Sequence, residues 1–258
     1  MRVPRIYHPL LDALPENSEQ PSLAEGQVFA LGDEAANHVG RVLRMTAGQA
    51  LEVFTGDGYD YSAEIVSASK KNVEVRITGL QFNQSESPIK IHLGQGISRG
   101  DRMDFVLQKS VELGVHSITP LFTERCGVKL SGERLEKKRQ QWQKIVVSAC
   151  EQSGRAVVPK VHPPVSLAQW LQDLPQALRL TLDPQAPKAL REQQLSNDLV
   201  QLLIGPEGGL TDAEVATAAA AEFQAVQLGP RVLRTETAAL TALSVVQYQF
   251  GDLAGSAN

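Results

Sequence analysis

The chain has 258 residues, of which 42% are hydrophobic, and a formal net charge of −4. This length and composition suffice for a sizeable core, and the lack of any run of 18 apolar residues excludes a membrane-spanning helix. Lysine and arginine outnumber aspartate and glutamate by 12 to 7 in residues 97–160, whereas acidic residues prevail on either side. Because contacts to nucleic-acid phosphates need local positive potential, this basic middle third matters more than the negative total.

The first ten residues, MRVPRIYHPL, lack the continuous apolar stretch of a secretory signal peptide. The two cysteines, Cys126 and Cys150, form neither a disulfide framework nor a metal-ligand spacing, and the five histidines contain no HExxH pattern. We therefore expect a cytoplasmic protein that binds no metal.

Residues 26–79 show short alternating apolar and polar stretches separated by turn residues, a pattern typical of a small antiparallel barrel or sandwich. A short helix near residues 33–43 interrupts this pattern. The polar segment 81–88 ends in a proline and is typical of a linker. We therefore divide the chain into a small β domain over residues 1–80, the linker, and a larger domain over residues 89–258.

From residue 89 onward, apolar strands alternate with amphipathic helices. This alternation predicts a mostly parallel sheet that is covered by helices on both faces. The predicted strands cover residues 89–95, 117–122, 178–182, 199–204 and 225–228. The predicted helices cover residues 101–114, 131–153, 167–171, 212–221 and 235–250.

One glycine-rich loop stands out in this larger domain. An apolar strand that ends at Ile204 enters the loop Gly205–Gly209, and the helix that follows has capping-box spacing at Thr211 and Glu214. Glycines let a ligand approach the backbone closely, and a helix N-terminus offers unpaired N–H groups. Taken alone, the loop is equally compatible with an ordinary strand-to-helix turn.

A second glycine-proline loop, Gly229–Arg234, follows the next strand and leads into a helix rich in small residues. A third strand end, Thr181–Pro184, offers another wall. Open α/β folds bind ligands at the carboxyl ends of their strands. The loops together therefore predict a single pocket at that edge of the sheet.

Six stretches, in this order along the chain, match the motifs of one known family. They are MRVPRIY at 1–7, HVGRVLR at 38–44, KSVELG at 109–114, ACEQSGR at 149–155, IGPEGG at 204–209 and LGPRVLRTETA at 228–238. They resemble the SPOUT methyltransferases and, within them, the RsmE family of 16S ribosomal RNA (uridine-N3) methyltransferases. The resemblance implies a PUA-like, RNA-binding β-barrel followed by an α/β domain of the SPOUT type. It also implies that the end of this α/β domain is tied in a trefoil knot.

The resemblance further implies that S-adenosylmethionine (SAM) binds in the knot as methyl donor, where loop amides and apolar side chains hold its adenine. Glu207 would contact the ribose or the cationic substrate, or cap the following helix, and the sequence leaves these alternatives open. The expected cofactor-binding residues are Leu182, Ile204, Gly205, Pro206, Glu207, Gly208, Gly209, Leu228, Gly229, Leu233, Arg234 and Thr235.

By the same resemblance, the substrate is N3 of a specific uridine, position 1498 of 16S rRNA, in the small ribosomal subunit. N3 lies on the pairing edge and must lose its proton, so the uridine has to be unpaired or flipped into the pocket. A cation beside the base would stabilise the anion as it forms. Arg234 is the first catalytic candidate, followed by Arg155 and Glu207, while Glu207, Glu236 or solvent would accept the proton.

The family works as homodimers, so the resemblance also implies a second copy of the chain as partner. The apolar final helix serves equally well as plain core or as part of such an interface. A charge run on a helix is often only a solvated face, so the basic cluster on the long helix remains open as an RNA contact. The expected phosphate contacts are Arg2, Arg5, His38, Arg41, Arg44, Lys137, Lys138 and Arg139.

Two other functions compete with this interpretation. The stretch Gly94–Gly100 follows a strand, precedes a helix and approximates a dinucleotide fingerprint, with Glu124 near the position of a ribose-binding acid. A nicotinamide-dependent oxidoreductase is therefore an alternative, although the spacing is GxGxxxG. The other alternative is an RNA-binding dimer without catalytic activity, which SAM binding would distinguish from an enzyme.

Overall fold

The computed structural model describes residues 3–9, 21–69 and 72–255. The chain forms two compact units. The first comprises Met1–Glu86 together with Cys150–Val158, and the second comprises Ser87–Ala149 together with Pro159–Asn258. The segment 150–158 therefore belongs with the first unit although it lies far from it in sequence. The division predicted from the sequence, into residues 1–80 and 89–258, does not include this exchange.

The first unit contains a five-stranded sheet in the order β1-β3-β4-β5-β2. Neighbouring strands of this sheet are antiparallel, except for β1 and β3, which are parallel. The predicted antiparallel β domain is confirmed, and alternate residues of β4 and β5 fill its core, as period-2 patterning requires. The strands are β1 (Arg5–Tyr7), β2 (Val28–Ala30), β3 (Ala50–Phe54), β4 (Tyr59–Ala68) and β5 (Val73–Phe82).

The predicted short helix is present as α1 (Asp33–Asn37), which continues into a π-helical turn, His38–Val42. The turn lies against the backbone of the β4–β5 hairpin, since a Cβ built at Gly40 would meet the Ser69 carbonyl oxygen at 2.2 Å. The side of this turn that carries His38 and Arg41 is exposed.

The second unit contains a seven-stranded sheet whose paired strands are all parallel, which confirms the predicted α/β fold. The main path runs β12-β10-β11-β6-β7-β8, and β9 pairs with β7. The strands are β6 (Lys90–Gly96), β7 (Ser117–Phe122), β8 (Lys160–Val161), β9 (Val165–Ser166), β10 (Leu178–Leu182), β11 (Leu199–Ile204) and β12 (Gln224–Val226). The helices are α2 (Asp101–Glu112), α3 (Gly132–Ser153), α4 (Leu167–Trp170), α5 (Asp212–Ala220) and α6 (Thr235–Phe250), with a 3-10 turn at Leu190–Glu192.

The sequence missed β8 and β9, because strands of two residues carry no measurable periodicity. The central strands β6 and β11 are buried almost throughout, as expected for strands covered on both faces. Residues of α6 at helical spacing, Ala239, Leu243 and Val246, are fully buried. No helix among the described residues is long and apolar enough to cross a membrane.

Candidate active site

A cavity of about 720 Å³ opens at the carboxyl edge of the parallel sheet in the second unit. Its walls come from the segments that follow β10, β11 and β12, which meet there because parallel neighbours end at the same edge. All twelve predicted cofactor-binding residues line this one cavity. The structure thus brings the predicted set together, and cofactor binding itself stays a prediction.

The expected third wall is also present, since Thr181, Asp183 and Pro184 line the cavity. Arg102, at the start of α2, lines it too, and sequence reasoning missed this residue. The helix that carries Arg102 follows the Gly94–Gly100 stretch. This stretch was the sequence signal that could have indicated Arg102, but it was interpreted as a competing dinucleotide site.

A buried hydrogen-bond chain fixes the start of α6 against the first glycine loop. The Thr235 hydroxyl donates to the Gly205 carbonyl oxygen over 2.6 Å and accepts a 2.9 Å bond from the Gln95 side-chain amide. Gln95 is fully buried and also donates to the Gly96 carbonyl oxygen over 3.0 Å. Two distant segments of the cavity wall are thereby held together through one strand end.

The Glu207 side chain is held by hydrogen bonds from Arg99 and Arg102 and is not free in the cavity. Its carboxylate accepts a 2.8 Å bond from the Arg99 backbone N–H and a 3.0 Å charged bond from Arg102. Burial alone would raise the pKa of Glu207, but these hydrogen bonds and the Arg102 charge hold the pKa below its usual value. The residue is therefore ionised near neutral pH and is a weak proton acceptor.

The suggestion that Glu207 caps the following helix is wrong. The cap of α5 is Thr211, which forms a complete capping box with Glu214. Arg125, on the loop after β7, donates to the carbonyl oxygens of Gly208 and Leu210 over 3.0 and 3.2 Å. The glycine loop is thus supported by arginines from two other segments.

The two catalytic arginine candidates have different surroundings. Arg234 lines the cavity, is exposed and has no carboxylate partner among the described residues. Arg155 belongs to the first unit, is only 5% exposed, and donates from Nε to Glu86 over 3.0 Å. Arg155 does not line the cavity, and its buried ion pair indicates a structural role, so Arg234 is the better catalytic candidate.

The predicted RNA contacts of the first unit also divide into exposed residues and a buried, ion-paired one. His38, Arg41 and Arg44 are exposed, without a carboxylate partner among residues 3–9, 21–69 and 72–255. The Arg5 side chain is 8% exposed, pairs with Glu52 and with Asp60 at 2.8 Å, and lies over the Phe54 ring, so its guanidinium is not available to a phosphate. Arg2 lies outside the described residues.

Each cation of the basic cluster on α3 has a neighbouring carboxylate. Lys137 pairs with Glu133, Lys138 with Asp104, and Arg139 with Glu136. Lys138 also lies over the Trp142 ring. These ion pairs weaken the prediction that the cluster contacts RNA, because paired cations attract phosphate less strongly.

The dinucleotide alternative meets a geometric obstacle. A Cβ built at Gly94 would lie 2.5 Å from the Trp170 ring, and one at Gly96 would lie 2.5 Å from the Pro206 nitrogen. Both glycines are therefore required for internal packing and leave no space for a pyrophosphate beside them. Among the described residues, no group of three or more histidine, cysteine, aspartate or glutamate side chains is arranged to hold a metal ion.

The chain matches two family models. One describes an RNA methyltransferase domain and covers residues 85–247, and the other describes an RNA methyltransferase PUA domain and covers residues 31–78. The chain belongs to the RNA methyltransferase family. This membership confirms the resemblance drawn from the sequence motifs and excludes the oxidoreductase alternative.

Relatives within the family match nearly end to end. The ribosomal RNA small subunit methyltransferase E of Buchnera aphidicola (subspecies Schizaphis graminum) is 36% identical, covering 98% of each chain. The protein of the same name from Bacillus subtilis is 34% identical, covering 88% of this chain and 92% of its own.

Two crystallised methyltransferases resemble the whole structure. A Legionella pneumophila methyltransferase in complex with SAM is 46% identical, with a TM-score of 0.91, covering 98% of this chain and 100% of its own. The ribosomal RNA small subunit methyltransferase E of Neisseria gonorrhoeae, bound to SAM, is 40% identical, with a TM-score of 0.86 and coverage of 97% and 99%. The expected PUA and methyltransferase architecture is confirmed.

We expect Gly205→Val to abolish SAM binding while the protein stays folded. A Cβ at this position would lie 3.1 Å from the backbone of both Gly209 and Leu210, so a branched side chain must displace the loop. Calorimetric titration with SAM measures the loss, circular dichroism checks folding, and Gly205→Ala should weaken binding less. Full SAM affinity in the valine variant would remove this loop from the site.

Proposed function

We propose that this RNA methyltransferase transfers the methyl group of SAM to N3 of a single uridine, position 1498, in 16S rRNA of the small ribosomal subunit. The observation that carries the proposal is the cavity that gathers the three loop segments at the carboxyl edge of the sheet. Two similar proteins, 46% and 40% identical, were crystallised with SAM, and curated relatives are named for the small-subunit RNA. Activity on 16S rRNA implies a cytoplasmic location.

The cavity fits SAM in size and in chemistry. Its volume of about 720 Å³ lies within the range of about 300–1,000 Å³ that is usual for cofactor sites. Leu182, Ile204, Leu228 and Leu233 offer apolar surface for an adenine ring, while the loops offer backbone polar groups. The ion pair between Glu207 and Arg102 borders the same space. When bound, SAM would supply an electrophilic methyl group.

Uridine N3 becomes nucleophilic only when its proton leaves, and negative charge then spreads to O2 and O4. Arg234 is exposed at the cavity wall and has no carboxylate partner among the described residues, which supports a role for its charge in stabilising that anion. Glu236 lines the cavity, and its Oε2 is buried without a hydrogen-bond partner in the described part of the chain. Glu236 is therefore a better proton acceptor than Glu207, which two donors already hold.

The trefoil knot is part of the proposal. The segment between β10 and β11 is bonded to the chain after β12, where Gln227 donates to the Lys188 carbonyl oxygen over 2.9 Å. The chain then reaches Thr235 beside Gly205. This arrangement supports threading of the last segment past the β10–β11 connection, and a crystal structure that traces residues 183–235 tests it.

A homodimer is also part of the proposal, because apolar side chains of the second unit remain uncovered. Val232 at the cavity is 85% exposed, and Tyr248 on the outer face of α6 is 67% exposed. The buried residues Ala239, Leu243 and Val246 make one side of α6 part of the core, while exposed Tyr248 leaves the other side available to a second copy. Light scattering should give twice the mass of one chain, and a monomeric mass at micromolar concentration would contradict this part.

The deciding experiment is methyl transfer from labelled SAM to small subunits purified from cells that lack the enzyme, followed by nucleoside analysis. The expected product is 3-methyluridine at a single position. Transfer to a different base atom or to a different RNA would refute the substrate assignment. Absence of SAM binding would refute the enzymatic function and favour an RNA-binding dimer.

Replacing Arg234 with glutamine should lower kcat, measured at saturating SAM, about 100-fold, the usual cost of removing one preorganised charge-stabilising group. Arg234→Lys should recover part of the rate because it keeps the charge. Arg231→Gln is the matched control, since Arg231 is an exposed arginine on the same loop. Equal losses at the two positions would deny Arg234 a specific catalytic role.

The first unit should bind RNA through its exposed π-helical turn. We expect the double replacement Arg41→Ala and Arg44→Ala to weaken 16S rRNA binding and to reduce its logarithmic salt slope by about 1.4, at about 0.7 per lost single-strand contact. The same replacement at Lys137 and Arg139, which are already paired, should change the slope less. Filter binding over a salt series measures both, and the reverse ranking would move the RNA surface to α3.

A further inference from the structure

Three cations lie on the two loops that follow β6 and β7. Arg99 precedes α2, while Arg125 and Lys129 lie between β7 and α3. All three are exposed, and none has a carboxylate partner among residues 3–9, 21–69 and 72–255. They belong to the basic middle third of the chain, yet none of them is among the phosphate contacts expected from the sequence.

The two loops touch one another and the glycine loop of the cavity. The Arg99 guanidinium lies on the Gly127 backbone, where a built Cβ would meet its Nε at 2.2 Å. The Cys126 thiol lies 3.5 Å from the Ile97 carbonyl oxygen. Arg125 donates to the Gly208 carbonyl oxygen, so the two loops reach the edge of the cavity.

A second concavity, of about 410 Å³, lies within the β7–α3 loop. Phe122, Thr123 and Lys129 are among its lining residues. The Thr123 hydroxyl oxygen is buried and has no hydrogen-bond partner among the described residues. A free hydroxyl beside an unpaired lysine is a suitable environment for a phosphate oxygen or a sugar hydroxyl.

We propose that Thr123 and Lys129 of this concavity, together with Arg99 and Arg125 on the adjoining loops, form a groove that binds the phosphate backbone of the RNA strand next to the target uridine. The proposal rests on the proposed function, because only an RNA substrate brings phosphates to this edge of the sheet. A uridine that enters the cavity carries its neighbouring phosphates with it, so the RNA strand must pass over the edge of the cavity. Contacts to these phosphates orient the strand without reading its sequence, and base recognition takes place in the cavity.

The other basic clusters of the chain are less suited to this role. Lys137, Lys138 and Arg139 are each paired with a carboxylate. Arg5 is buried in its own ion pairs. Arg99 and Lys129 have no carboxylate partner among the described residues, and the loop that carries Lys129 reaches the cavity edge through Arg125.

The test is the double variant Arg99→Gln and Lys129→Gln, which keeps side-chain length and removes two charges. Arg125 is left intact because it also supports the glycine loop. Binding to transcribed 16S rRNA should weaken, and the logarithmic salt slope should fall by about 1.4, at about 0.7 per single-strand contact. SAM affinity should stay unchanged, and KM for small subunits should rise more than kcat falls.

The matched control compares Lys129→Gln with Lys160→Gln, because both lysines are exposed and neither has a carboxylate partner among the described residues. Lys160 begins β8 and pairs with Ser117 at the start of β7, so it lies at the amino edge of the same sheet, roughly 20 Å from the groove by strand length. Each variant removes one positive charge, and Lys160→Gln should leave the salt slope unchanged. An equal fall in slope for the two single variants would overturn the proposal, because the effect would then reflect total charge alone.

Wild-type methylation with an unchanged slope in the groove variant would overturn this inference and leave the proposed function intact. A wild-type protein that binds SAM but no ribosomal RNA would overturn both. If the double variant loses SAM affinity, Lys129→Gln alone decides, since the Lys129 side chain makes no hydrogen bond or ion pair to any described residue. This single variant should lower the slope by about 0.7, and no change in slope would overturn the groove.

Discussion

The active-site cavity depends on the buried hydrogen-bond chain from Gln95 through Thr235 to the Gly205 carbonyl oxygen. It joins the end of β6, the start of α6 and the loop after β11, three segments that sequence separates by up to 140 residues. A buried polar group that loses its partner costs about 1–3 kcal/mol, so these groups hold one another in place. The chain thereby fixes the end of the second glycine loop, at Thr235, beside the first loop.

Electrostatics then divides the charged residues of the protein into two groups. Arg5, Arg155 and Arg102 are paired with carboxylates, and these pairs organise the fold or the cavity edge. Arg234 and Arg99 remain exposed and free of carboxylate partners within the described ranges. Because a neighbouring carboxylate already compensates the charge of a paired arginine, the unpaired group is the one suited to an anionic substrate.

Much of the site was predictable from the sequence, because local rules place its loops. Two glycine-rich loops that each join an apolar strand to a helix together indicate a ligand-binding pocket, and parallel pairing brings the predicted strand ends at Leu182, Ile204 and Leu228 to one edge. What could not be predicted was the partner of each charge. Arg155 and Arg234 look alike in the sequence, and only burial beside Glu86 separates the structural arginine from the exposed one.

The sequence by itself determined the two kinds of domain, the parallel sheet, the cavity loops and, through its motifs, the family. Each of these follows from short-range periodicity or from residues close together in the chain. Tertiary structure alone decided that residues 150–158 join the first unit, that Arg102 reaches Glu207, and that Arg99 meets the loop carrying Lys129. These contacts join residues far apart in the chain, and their energies depend on burial and distance, which no local pattern records.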